Sequence, residues 1–160
     1  MSVSSSIPAL AAAMGLALAL APVASAQDYS QNPNYGSANL SGGFTPDPYR
    51  VSLRAGGSID VSQSISRCRG YITNAPDFRL SFSAGSLPLI ISVASSADTT
   101  LVINGPDGNF YCDDDGGVNG SNPSVRFNSP GSGQYDIWVG TYSPGSNPSA
   151  TLHISEVSSQ

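Results

Sequence analysis

Leu101-Val102-Ile103-Asn104-Gly105-Pro106-Asp107-Gly108-Asn109-Phe110-Tyr111-Cys112 reads as a strand, a tight turn and a returning strand. Leu101 and Ile103 alternate with their neighbours, and Pro-Asp-Gly suits a hairpin because proline presets φ and glycine tolerates the turn. The same pattern continues outward in both directions. Val51 and Leu53 alternate with arginines and Ser52, and Gly56-Gly57 turns the chain into Ile59 and Val61. Tyr71 to Thr73 makes a short run, and Phe78, Leu80 and Phe82 alternate with Arg79, Ser81 and Ser83. Leu87 to Val93 is more continuously apolar, as expected of a central strand covered on both faces. Val125 and Phe127, then Tyr135, Ile137 and Val139, then Leu152 and Ile154 complete the series. No window after residue 26 carries a helical apolar face. Short strands separated by Gly- and Pro-rich turns predict an all-β fold, a single jelly-roll-like β-sandwich of about eight to nine strands.

The first 26 residues are set apart. Ile7 to Val23 is almost wholly apolar and ends in Ala24-Ser25-Ala26, a small-residue cleavage pattern. The apolar core is too short and Ala-rich for a span of about 20 residues. Residues 1–26 are therefore read as a signal peptide, and no Cys follows the cleavage site as a lipoprotein would require. Residues 27–40 are Gln, Asn, Ser, Gly and Tyr with almost no aliphatic side chains. Such a segment buries little apolar surface, so it is read as a disordered tail or linker. The folded module is expected over residues 41–160.

Composition narrows the function classes. The chain carries a formal net charge of −5, and all six basic residues are arginine. This balance excludes a nucleic-acid or anionic-membrane surface. Cys68 and Cys112 form an even pair in a chain read as secreted or periplasmic, so a disulfide is expected. Neither has the spacing of a redox or zinc motif.

Catalytic patterns are weak. His153 is the single histidine. Its phase opposes Leu152 and Ile154, which predicts a solvent-facing surface residue rather than the base of a serine triad. Asp113, Asp114 and Asp115 are neighbours on one segment, not carboxylates facing each other across a cleft. Together with Asn119 and Asn122 in a glycine-rich loop, and with Asp98 from a neighbouring loop, they offer the hard oxygen ligands that calcium takes. The other reading is a loop whose aspartates cap turns through backbone N–H groups. Trp138 shares the phase of Asp136 and opposes Tyr135, Ile137 and Val139. Trp138 with Asp136 and Tyr142 could form an outward aromatic binding face. Against this stands cover by the Tyr142–Pro144 loop or by the N-terminal tail.

Asp98-Thr99-Thr100-Leu101, Gly105-Pro106-Asp107-Gly108, Asp113-Asp114-Asp115, Gly133-Gln134-Tyr135 and Trp138-Val139-Gly140 together resemble the bacterial pre-peptidase C-terminal domain, over about residues 70 to 156. The resemblance implies a small β-sandwich related to collagenase collagen-binding domains, some of which bind calcium. It also implies a module that accompanies secreted proteases without being catalytic. No peptidase-like segment precedes this module in the sequence. The expected protein is thus a secreted, monomeric, non-enzymatic binding or accessory module for an extracellular polymer, a cell-surface component or a partner protein. The alternatives are a peptidase-associated hydrolase acting at the acidic loop and a purely structural envelope protein stabilised by calcium.

Overall fold

The computed structural model describes residues 27–160, together with Met1. Of the expected signal peptide, residues 1–26, all but Met1 lie outside the described residues. Eleven strands follow in chain order: β1 (Ser37–Ser41), β2 (Tyr49–Arg54), β3 (Ile59–Asp60), β4 (Tyr71–Ile72), β5 (Phe78–Ser83), β6 (Leu89–Ser95), β7 (Thr99–Asn104), β8 (Phe110–Asp113), β9 (Ser124–Phe127), β10 (Gly133–Thr141) and β11 (Ser149–Ser155). The described residues contain no α-helix, only a short 3₁₀ turn at Val61–Gln63. Asp60 caps that turn by accepting from the Ser62 N–H, so the expected strand through Ile59 and Val61 stops at Asp60.

The strands form a β-sandwich. Sheet A has seven strands. Its long central strand β10 pairs with β5 at its N-terminal half, with β4 at Thr141 and with β7 along its other side. β8 adds to β7, β3 adds to β4, and β1 adds to β5. Sheet B has four strands in the order β2-β11-β6-β9. Antiparallel pairing dominates, and the exception is β1, which lies parallel to β5.

The hairpin read from the sequence is β7–β8, with Asn104 opposite Phe110 and Leu101 opposite Asp113. Its turn closes through Gly105 N–H to Asn109 O and Gly108 N–H to Gly105 O, both at 2.9 Å. Gly108 has φ +76°, a conformation that a side chain would strain. The Asp107 carboxylate accepts from the Asn109 backbone and from the Tyr111 hydroxyl at 2.6 Å. Those bonds, the Tyr111 hydroxyl first, hold its pKa down at about 2.

The main core lies between the sheets. Leu80, Leu101, Ile103, Ile137 and Val139 from sheet A meet Leu89, Ile91, Val93, Leu152 and Ile154 from sheet B, all fully buried. Edge-to-face stacking of Phe127 on Tyr111 and Tyr135 closes one end. A second, smaller core sits on the opposite face of sheet A. There Val102 and Trp138 point away from the sandwich and are covered by Val61, Cys68 and Ile72. This covering explains why every residue of β7 is buried: the strand has an apolar layer on each side.

Residues 27–40, expected as a disordered tail, are placed against sheet A instead. The reason is a set of long-range bonds that composition does not show. Asn34 donates to Asp77, Arg79 reaches the Tyr29 and Gln31 carbonyls, and Ala38 and Leu40 pack on the main core.

Candidate functional site

The acidic loop begins where β8 ends. Asp113 Oδ2 accepts from Gly116 N–H at 2.7 Å and from Ser124 N–H at 2.8 Å. A Cβ at Gly116 would come 2.6 Å from that oxygen, so the close turn requires glycine. Asn122 is buried, accepting from Thr99 Oγ1 and donating to Ser95 O. Gly117 and Val118 are held by the carbonyls of Asn122 and Gln160. Asp113 and Asn122 therefore organise the loop from within. Asp98, Asp115 and Asn119 are exposed and Asp114 is half-exposed. Although Asp98 is exposed, the loss of some of its hydration raises its pKa, and the charges of Asp115 and Asp114 push it further the same way. The residues that composition offered as a calcium set are thus split. The described residues contain no group of three or more His, Cys, Asp or Glu placed to hold a metal ion.

The disulfide Cys68–Cys112 is formed, with Cα atoms 5.4 Å apart across a sequence separation of 44. It ties the covering segment 61–70 to β8 just before the acidic loop. Arg67 adds a guanidinium bond to the Phe110 carbonyl.

His153 does not face solvent, which corrects the expectation from its phase. It lies on the outer face of sheet B, in register with Arg50 and Ser92, yet is only 6% exposed. The C-terminal residues fold back beside it, where Gln160 N–H donates to Ser92 Oγ and Ser159 Oγ donates to Ser124 Oγ. Burial first, and the Arg50 charge second, lower the His153 pKa. Its Nδ1 has no partner. Ser155, two residues on, donates to Asp47 Oδ1 and accepts from Val157 N–H and Ser158 N–H. The serine is therefore bonded to the aspartate directly, without the histidine between them that a catalytic triad needs.

Trp138, Asp136 and Tyr142 are not brought together. Trp138 occupies the outward phase expected of it, but that face is covered. The ring is fully buried, 6.4 Å from Phe110 by centroids, and its Nε1–H points to Asn74 O at 3.4 Å. The apolar cover includes Val61 and Cys68 of the disulfide-anchored segment, and the N-terminal segment reaches the same Asn74 carbonyl through the Asp28 N–H. Asp136 is buried in an ion pair with Arg79 at 2.6 Å and accepts from Gln134 Nε2 at 2.7 Å. Tyr142 is 48% exposed, and its N–H donates to Asp98 O, so it belongs beside the acidic loop.

One polar surface was not visible in the sequence. On the outer face of sheet A, Asn39 lies opposite Ser81, and Ser81 lies opposite Gln134. Ser41 opposes Ser83 in the next outward row. Two concavities share Ser132, Gly133 and Gln134: one of about 530 Å³ over Asn39 and Ser81, the other of about 450 Å³ between Tyr29 and Phe110. The alternation of β5 and β10 was a signal for part of this row. The third strand fell within the segment read as a tail.

The sequence model described as the bacterial pre-peptidase C-terminal domain matches residues 47–141, from the loop before β2 to the end of β10. Among solved structures, the pre-peptidase C-terminal domain of collagenase from Bacillus anthracis is similar at 16% identity, with a TM-score of 0.41. That alignment covers 78% of this chain and 98% of the other. No curated protein matches the chain.

Proposed function

This chain belongs to the bacterial pre-peptidase C-terminal domain family, and on that premise we propose that it is a non-catalytic accessory module that binds a polymer, a surface component or a partner protein outside the cytoplasm. The observation that carries this reading is how the chain uses its acids. Asp47, Asp77 and Asp113 each accept backbone N–H groups, and Asp136 pairs with Arg79. These carboxylates serve the fold, whereas acid–base hydrolysis needs two that face each other across a cleft. The disulfide supports a location in an oxidising compartment.

Calcium enters as a second, narrower proposal because the charges of Asp115 and Asp114 bear on Asp98 across the loop. A hard cation there would relieve that repulsion. Asp113 and Asn122 would stay in their present bonds, and Asp98, Asp114 and Asp115 would have to draw together around the ion, because the described residues hold no ready group of three such ligands.

Calorimetric titration of the purified protein with calcium, followed by a binding screen against matrix proteins and polysaccharides with and without EDTA, tests both. We expect saturable binding to at least one extracellular polymer or protein and no turnover of peptide or glycan substrates. Turnover abolished by Asp113→Asn would overturn the non-catalytic reading. A flat calcium titration with an unchanged melting temperature in EDTA would remove the calcium proposal alone.

A further inference from the structure

The trough on the outer face of sheet A has an uncommon chemistry. Its floor is the outward row Asn39, Ser81 and Gln134, contributed by β1, β5 and β10 and exposed to solvent. The side chains of Asn39 and Ser81 make no hydrogen bond among the described residues, so a carboxamide and a hydroxyl face outward with their capacity open. The next row along the same face runs Ser37, Arg79, Asp136 and Asn104. Its two charges cancel in the 2.6 Å pair, and the second Asp136 oxygen is held by Gln134. At the far end the trough passes between Tyr29, 53% exposed, and Phe110.

We propose that this trough binds a neutral polysaccharide. The inference deepens the accessory-module reading above and rests on it. Sugar hydroxyls are matched by carboxamide and hydroxyl side chains, which both donate and accept. Sugar ring faces stack on aromatic side chains such as Tyr29. A polyanion would need arginines or lysines along the floor, but Arg79 is neutralised and the chain carries a net charge of −5. An extended peptide would need apolar pockets for alternate side chains. Here the apolar residues Leu40, Leu80 and Phe82 pack into the core on the other side of the sheet. Two joined concavities, rather than one closed pocket, suit a chain lying across the strands.

The test is native affinity electrophoresis of the purified protein in gels containing laminarin, hydroxyethylcellulose or galactomannan, with alginate as the acidic counterpart. We expect retardation by at least one neutral polymer and none by alginate. Tyr29→Ala and Gln134→Ala should each weaken binding about three- to tenfold, as loss of one stacking platform or hydrogen-bonding side chain does. Leu87→Ser, exposed on a different loop, should leave it unchanged. Near-ultraviolet circular dichroism confirms that each variant is folded. Retardation that persists in both trough variants would overturn the site, and no retardation by any neutral polymer would overturn the ligand class. Capture of a matrix protein without polysaccharide retardation would overturn this inference and leave the accessory-module reading standing. Failure to bind any polymer or protein would overturn both.

Discussion

Two buried titratable residues give the protein opposing pH responses. Asp77 is 1% exposed, and burial pushes its pKa up to about 6, despite bonds from Val139 N–H, Asn34 and Thr73. Between its ordinary value and about 6, the folded state holds a proton that the unfolded chain releases. This contribution is therefore greatest at low pH and is lost as pH rises through about 6. A shift of this size corresponds to roughly 3 kcal/mol at most. His153 works the other way. Its pKa is lowered, so its contribution is present above the ordinary histidine value and is lost as pH falls through the lowered one. Urea midpoints measured from pH 4 to 8 separate the two. In Asp77→Asn we expect the decline in stability between about pH 4 and 6 to flatten, and in His153→Gln the loss on the acid side to shrink. A slope unchanged in Asp77→Asn would show that another group carries it. Neither response was legible in the sequence. His153 alternates with Leu152 and Ile154 as a surface residue should. Alternation assigns it a face of the sheet but not what lies over that face, which here includes the chain's last residues.

At the scale of the element, the hairpin and the first strand stand at opposite ends of legibility. The β7–β8 hairpin is local. Its strands and turn are adjacent in sequence, and proline, aspartate and glycine each meet a turn requirement within a few residues. β1 is the reverse case. Ser37 to Ser41 has weak strand character and becomes a strand because β5, far along the chain, offers it a parallel edge. Ala38 and Leu40 then face the core while Ser37, Asn39 and Ser41 face outward. Leu40→Asp should release this strand and leave the rest of the sandwich folded. We expect a loss of about 1–2 kcal/mol, as for partial exposure of one aliphatic side chain. Trypsin-independent proteases should then cut within residues 27–41 while residues after 48 resist. Global unfolding in this variant would mean that β1 is part of the cooperative core.

At the scale of the molecule, the sandwich relies on two apolar layers and one covalent staple. The inter-sheet core joins the sheets, and the smaller core fastens the 61–70 segment over Trp138. The Cys68–Cys112 bond closes a loop of 44 residues across that smaller core. In the chain-entropy model its loss should cost roughly 4 kcal/mol. We expect Cys68→Ala/Cys112→Ala to lower the melting temperature and to expose Trp138, read as a red shift in its fluorescence. A variant with unchanged emission would show that the smaller core holds without the staple. By itself the sequence determined the all-β class, the positions of most strands, the hairpin and the pairing of the only two cysteines. Each follows from alternation, turn chemistry or simple parity within a short window. Only the tertiary structure decided that Trp138 and His153 are buried, that Asp113 caps a turn and that β1 completes a polar trough. These facts depend on segments far apart in the chain meeting on one face. Period-two alternation reports the phase of a side chain but carries no information about its distant cover.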